Sequence, residues 1–112
     1  MEEKVMRGYL YDFYGQLLNE HQREVYEAYA FEDLSLSEIA EREGISRQGV
    51  HDLIRRCTKT LESYEEALQL VARFMKVRSD VERIQDLTDC GEAGEEVLRD
   101  IRRLSRKILE EL

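Results

Sequence analysis

Residues 34–56 read LSLSEIAEREGISRQGVHDLIRR, and the fold class follows from how that stretch has to bend. Ser35 followed three residues later by Glu38 is a capping box, in which each side chain satisfies the other's free backbone N–H at a helix start. The helix so opened reaches Glu43. Gly44 stops it, because glycine adopts the left-handed conformation of a helix end without a Cβ penalty. Ser46 then caps a second helix. Two helices joined by so short a turn need a small residue where they cross and apolar residues that fix their angle. Ala40 is the small residue. Ile39, Ile45, Val50 and Leu53 are spaced to form a wedge beneath both helices, with Ile45 expected to be buried in the turn. All these requirements are met together, and the stretch is read as a helix-turn-helix.

The flanking sequence is helical as well. Val5, Met6, Tyr9, Leu10, Phe13 and Tyr14 recur at three- and four-residue spacing, one wide face of a helix from Glu2 to Gly15. Leu17, Leu18 and Asn19 read as a turn, and Asn19 with Gln22 forms a second capping box. It opens a helix from Glu20 to about Phe31 that buries Val25, Tyr26 and Tyr29. Downstream, Val50, Ile54, Cys57, Leu61, Tyr64, Leu68, Val71 and Met75 alternate steps of four and three, a heptad-like stripe. Its phase then slips, which predicts a bend, a break or a change of packing partner near 72–78. LTDCGEAG (87–94) reads as a loop, and a last helix from Glu95 to Leu112 carries Val97, Ile101, Leu104, Ile108 and Leu112 on one face. The aromatic residues of the first two helices are read as core between those helices rather than as a base-stacking surface.

Composition agrees. The 112 residues contain no proline and six glycines, and 38% are charged, against about 25% in an average domain. This excludes a β-sandwich, a collagen-like chain and a disordered tail. No apolar run is long enough to span a bilayer, so membrane insertion is not expected. Two cysteines, Cys57 and Cys90, make no disulfide framework and imply reduced thiols in a cytoplasm. Cys57 lies in the apolar stripe and reads as a small buried hydrophobe. His51 and Cys57 point about 120° apart on a helix, and Cys90 has no partner. No metal site, cofactor or catalytic motif is therefore expected, and the chain does not read as an enzyme.

The formal net charge is −8, yet the charge is unevenly placed. Residues 1–41 carry a net −7, whereas residues 44–60 carry Arg47, Arg55, Arg56 and Lys59 against Asp52 alone. Local charge decides where a polyanion docks, while the surrounding acid weakens binding and opposes indiscriminate contact. In a helix-turn-helix the second helix enters the DNA major groove with its first residues at the base edges. Those are Ser46, Arg47 and Gln48, followed on the outward side by His51 and Arg55. Arg and Gln make bidentate contacts with guanine and adenine. Arg55, Arg56 and Lys59 are placed for phosphates. The same cations also suit a solvated helix face paired with Asp52 and Glu62. Arg99, Arg102, Arg103, Arg106 and Lys107 form a second basic group, better suited to the charged flank of a helical bundle than to RNA.

The run NEHQREVYEAYAFEDLSLSEIAEREGISRQGVHDLIRRCTKTLESYE (19–65) resembles region 4 of bacterial sigma factors. More closely, YLYDFYGQLLNEHQREV (9–25), the SEIAEREGISRQGVHDLIRR core and the charged helical tail resemble the YlxM family of bacterial helix-turn-helix proteins. That resemblance implies a small cytoplasmic DNA-binding protein with a regulatory role, associated with the signal recognition particle pathway. It leaves open an adaptor that binds the particle's protein or RNA without reading DNA. The sigma-like reading helix corresponds to 47–59.

The expected architecture is thus all-α and without a wing: a helix-turn-helix head over 1–62 and a helical extension over 63–112. The C-terminal stripes are longer than one small head needs, which predicts a homodimer formed mainly through 60–112. Duplex DNA is the expected partner, with RNA the other nucleic acid considered.

Overall fold

A computed structural model of the chain describes residues 2–89 and 94–112. Six α-helices follow one another: α1 (Glu3–Tyr14), α2 (Glu20–Ala30), α3 (Leu36–Glu43), α4 (Arg47–Leu68), α5 (Leu70–Thr88) and α6 (Glu95–Glu111), with a 3₁₀ turn at Gly15–Leu17 after α1. Among the described residues there is no strand, so no wing follows α4. No described helix is long and apolar enough to cross a membrane. The chain divides into two compact units, Met1–Gln69 and Leu70–Leu112.

The helix starts in the first unit are fixed by the side chains the sequence supplies. Asn19 Oδ1 accepts from the Gln22 N–H at 2.8 Å while Gln22 Oε1 accepts from the Asn19 N–H at 3.0 Å. Ser35 and Glu38 exchange the same pair of bonds, both 3.1 Å, and these bonds hold the Glu38 carboxyl below its ordinary range. Ser46 Oγ accepts from the Gly49 N–H at 2.9 Å and starts α4. Gly44 lies at φ 69°, left-handed as expected, and its N–H reaches back to the Ala40 carbonyl.

The core gathers beneath the helix-turn-helix. Val25 and Ala28 of α2, Ile39 and Ala40 of α3, and Val50 and Ile54 of α4 form one buried cluster, with Tyr29, Leu34, Leu36 and Leu53 packed against it. Further along α4, Cys57 and Leu61 are also fully buried, as are Tyr14 of α1 and Tyr26 of α2. The Tyr11 and Tyr26 rings stack at 5.6 Å, and the Arg7 guanidinium lies over the Tyr29 ring at 5.5 Å. The Tyr14 hydroxyl donates to Glu65 Oε1 at 2.6 Å, tying the end of α1 to the distal part of α4. Leu10, Tyr11, Tyr14, Tyr26 and Tyr29 are thus at least half-buried, whereas Phe13 is 38% exposed.

Three local expectations need correction. Ile45 is not buried: it is 37% exposed. The left-handed turn at Gly44, with the Ile45 N–H also bound to the Ala40 carbonyl at 3.1 Å, leaves this residue at the rim of the turn. The break in the long helical stretch is at Gln69, with φ 55°, rather than near 72–78. The apolar stripe on α4 is accordingly buried only as far as Leu61, and Leu68 is 47% exposed. Finally, α5 continues to Thr88, into the start of the stretch read as a loop; Cys90 lies outside the described residues.

The second unit is the antiparallel pair α5–α6. Leu104 and Val71 are buried, and with them Asp80 at 4% exposure. Lys107 Nζ lies 3.7 Å from Asp80 Oδ1, while Asp80 Oδ2 has no hydrogen-bond partner. Lys76 Nζ donates to Glu111 Oε1 at 2.6 Å, a contact that raises the lysine's pKa and lowers the glutamate's. Arg99 pairs with Glu95 and Arg103 with Asp100, at 3.6 and 4.0 Å. Three of the five cations of the second basic group thus face carboxylates of the pair itself.

Candidate nucleic-acid interface

Helix α4 has two faces. Val50, Ile54, Cys57 and Leu61 form its buried seam. At about 100° per residue, Gln48, Asp52, Arg55, Arg56 and Lys59 fall on the opposite side, His51 lies at its flank and Arg47 sits in the first turn nearer the seam, and every one of them is exposed. Helices α1, α2 and α3 all pack against α4, yet these outer residues remain exposed. The geometry needed to offer these residues to a groove comes from the crossing at Ala40, the reversal at Gly44 and the Ser46 cap.

Each residue singled out in the sequence has a definite surrounding. Ser46 Oγ accepts the capping bond from Gly49, which leaves its hydroxyl proton free to donate. Gly49 is half-buried in the first turn of α4. A Cβ there would stand 3.1 Å from Ser46 Oγ, so the glycine leaves room for the cap. Arg47, Gln48 and His51 line one shallow depression whose apolar wall is Leu36, from the start of α3. Arg55, Arg56 and Lys59 line a second, open groove together with Asp52. Among the described residues, none of Arg47, Arg55, Arg56 and Lys59 has a carboxylate oxygen within 4 Å. The reading of these cations as a self-paired helix face therefore finds no ion pair, even though Asp52 shares their groove.

Two contributors were not among the sequence candidates. Leu36 is the first residue of α3, and only the crossing of the two helices brings it beside Arg47. Asp52 Oδ1 accepts from Gln48 Nε2 at 3.0 Å and lies 3.7 Å from His51 Nδ1. The signal for the first contact was present in the sequence, since residues four apart on a helix are neighbours.

Burial pushes the Cys57 thiol above its ordinary range, with Arg56 opposing slightly, which makes the thiol a weak nucleophile. Among the described residues no group of three or more His, Cys, Asp or Glu side chains is arranged to hold a metal ion. The chemistry available on this face is cationic and hydrogen-bonding: guanidinium and ammonium groups, one amide, one imidazole and one carboxylate.

A family model described as "Putative helix-turn-helix protein, YlxM / p13 like" matches residues 1–101. The chain is 44% identical over 103 residues to a UPF0122 protein of Desulforamulus reducens, covering 90% of this chain and 88% of that one. It is 41% identical over 99 residues to a UPF0122 protein of Halalkalibacterium halodurans, covering 88% and 91%. A UPF0122 protein of Geobacillus kaustophilus is 48% identical over 87 residues, covering 77% and 79%.

Proposed function

The chain belongs to the YlxM / p13-like family of helix-turn-helix proteins, and from that premise we propose that it binds duplex DNA sequence-selectively, in a regulatory role without catalysis, in the cytoplasm. Helix α4 lies in the major groove, where Arg47, Gln48 and His51 meet base edges, while Arg55, Arg56 and Lys59 meet phosphates and Ser46 stands at the helix start. The observation that carries this reading is the set of four cations on α4, Arg47 in its first turn and Arg55, Arg56 and Lys59 opposite the buried seam, all exposed and with no ion pair among the described residues. Replacing Arg47 and Gln48 together with alanine is expected to reduce discrimination between duplexes, by about 1–3 kcal/mol for each side chain that reads a base with two hydrogen bonds. Unchanged binding to every duplex after that change would refute it.

Three or four phosphate contacts give weak, salt-sensitive binding, and two heads on one duplex would double them. We therefore propose a homodimer joined mainly through residues 60–112. Its support is the apolar surface of the second unit: Val81, Leu98, Leu109 and Leu112 are 41–88% exposed. Light scattering at tens of micromolar is expected to give twice 13.3 kDa, and a clean monomer would reject the dimer.

A second reading, an adaptor for protein or RNA of the signal recognition particle, draws on the acidic surface of α2 and α3. Glu24, Glu27, Glu32 and Glu43 line one open depression there with Arg42 as the single cation. Capture of lysate partners untreated, after DNase and after RNase separates the two: DNase abolishes capture if duplex DNA is the ligand, whereas RNase abolishes it for an RNA adaptor and neither does for a protein adaptor.

A further inference from the structure

Asp52 is an acid set among cations, and none of them neutralises it. It shares a groove with Arg55, Arg56 and Lys59 without pairing to any of them within 4 Å, and its side chain is 51% exposed. Its neighbours are His51, at 3.7 Å, and the Gln48 amide, one turn earlier, at 3.0 Å. A carboxylate only accepts hydrogen bonds, so the Gln48 NH₂ must face it and the amide is held in one of its two orientations. One N–H and the carbonyl oxygen of Gln48 then remain for a ligand, the donor–acceptor pair that the adenine edge demands in the major groove. The remaining lone pairs of Asp52 suit an amino group such as cytosine N4. A phosphate in the same place meets like charge.

We propose that Asp52 is a specificity-determining residue of this interface. It holds the Gln48 amide in its reading orientation, and it penalises any register that sets a phosphate rather than a base-edge amino group against it. The inference rests on the duplex-DNA reading and assigns the carboxylate a role that lowers overall affinity in exchange for selectivity, since selectivity is a difference between affinities.

The test uses the full chain as wild type, Asp52→Asn and Asp52→Ala. Two probes are measured at one fixed salt concentration: a random-sequence duplex, and the sequence that the wild type enriches from a random duplex pool. Asp52→Asn removes the charge and keeps an acceptor for Gln48. It is expected to bind the random duplex about three- to tenfold tighter, the effect of one exposed charge–charge interaction in water, and the enriched sequence no tighter. Asp52→Ala, which also frees Gln48, should lower the enriched-to-random ratio further. An unchanged ratio in both variants, or weaker random binding, overturns the role of Asp52 while leaving DNA binding intact. A wild type that binds neither probe overturns the DNA reading itself. Because Asp52 is exposed, circular dichroism spectra of the variants should match the wild type.

Discussion

Replacing Lys59 with alanine removes one of three cations, Arg55, Arg56 and Lys59, that line one groove of α4 and are the proposed phosphate contacts. Lys59 lies about 18 Å along the helix from Arg47 at ~1.5 Å per residue, too far to share the same base step. Its loss should therefore weaken all sequences alike. Each neutralised phosphate adds about 0.9 to the slope of log affinity against log salt concentration on duplex DNA. Three contacts per head give a slope near −2.7, and two give about −1.8. Between about 50 and 200 mM salt the wild type should lose about 40-fold in affinity and the variant about 12-fold. If two heads engage one duplex, the wild-type slope doubles to about −5.4, so the same experiment reports how many heads bind. Since Lys59 has no carboxylate within 4 Å among the described residues, its removal orphans no charge, and thermal melts of the two proteins should coincide. Fluorescence anisotropy of labelled duplexes at stepped salt measures the slopes. A variant with the wild-type slope, or one whose weakening depends on sequence, would refute the assignment.

Three further predictions concern stability. Gly44→Ala should cost about 1–2 kcal/mol in urea denaturation, all of it from the backbone at φ 69°, because an added Cβ there meets nothing within 4 Å; a variant as stable as the wild type would contradict this. Tyr11 and Tyr26 are pushed up to about 12, chiefly by burial and, for Tyr11, by its hydrogen bond to Glu27. The unfolded chain releases these protons near pH ~10, so their contribution to stability is complete below about pH 10 and is lost as pH rises towards about 12. Tyr11→Phe should make that alkaline decline shallower, as measured by denaturation across the window. Lys107→Ala removes the cation 3.7 Å from the 4%-exposed Asp80 and should cost about 2 kcal/mol. That is less than the ~3–5 kcal/mol of a fully buried pair, because the lysine side chain is 41% exposed. Adding Asp80→Asn should restore part of the stability, and a double variant no better than the single one would count against an uncompensated carboxylate as the cause.

The head was legible because its signals are local. Capping boxes at Asn19 and Ser35, the glycine at 44 and the steps of four and three from Val50 to Leu61 each act within a few residues, and each is found where expected. What was missed depends on partners that spacing does not reveal. Gln69 adopts the left-handed conformation with no glycine to announce it, in the middle of an apolar rhythm that carries on through Val71. The burial of Asp80 is invisible to a reading that places only apolar residues inside, and the bond from Tyr14 to Glu65 joins positions 51 apart in the chain. At the candidate interface the cations were read directly from sequence. Leu36 emerged only when the crossing of α3 and α4 set it beside Arg47.

The account turns on which surface of the chain touches duplex DNA, and amide chemical-shift mapping of the full protein during titration with a random-sequence duplex reads that surface directly. Perturbations concentrated from Ser46 to Lys59, with Leu36 included and the seam residues Val50, Ile54, Cys57 and Leu61 least affected, are the predicted result. Shifts confined to the acidic surface of α2 and α3 or to residues 70–112, with the outer face of α4 unmoved, would contradict it.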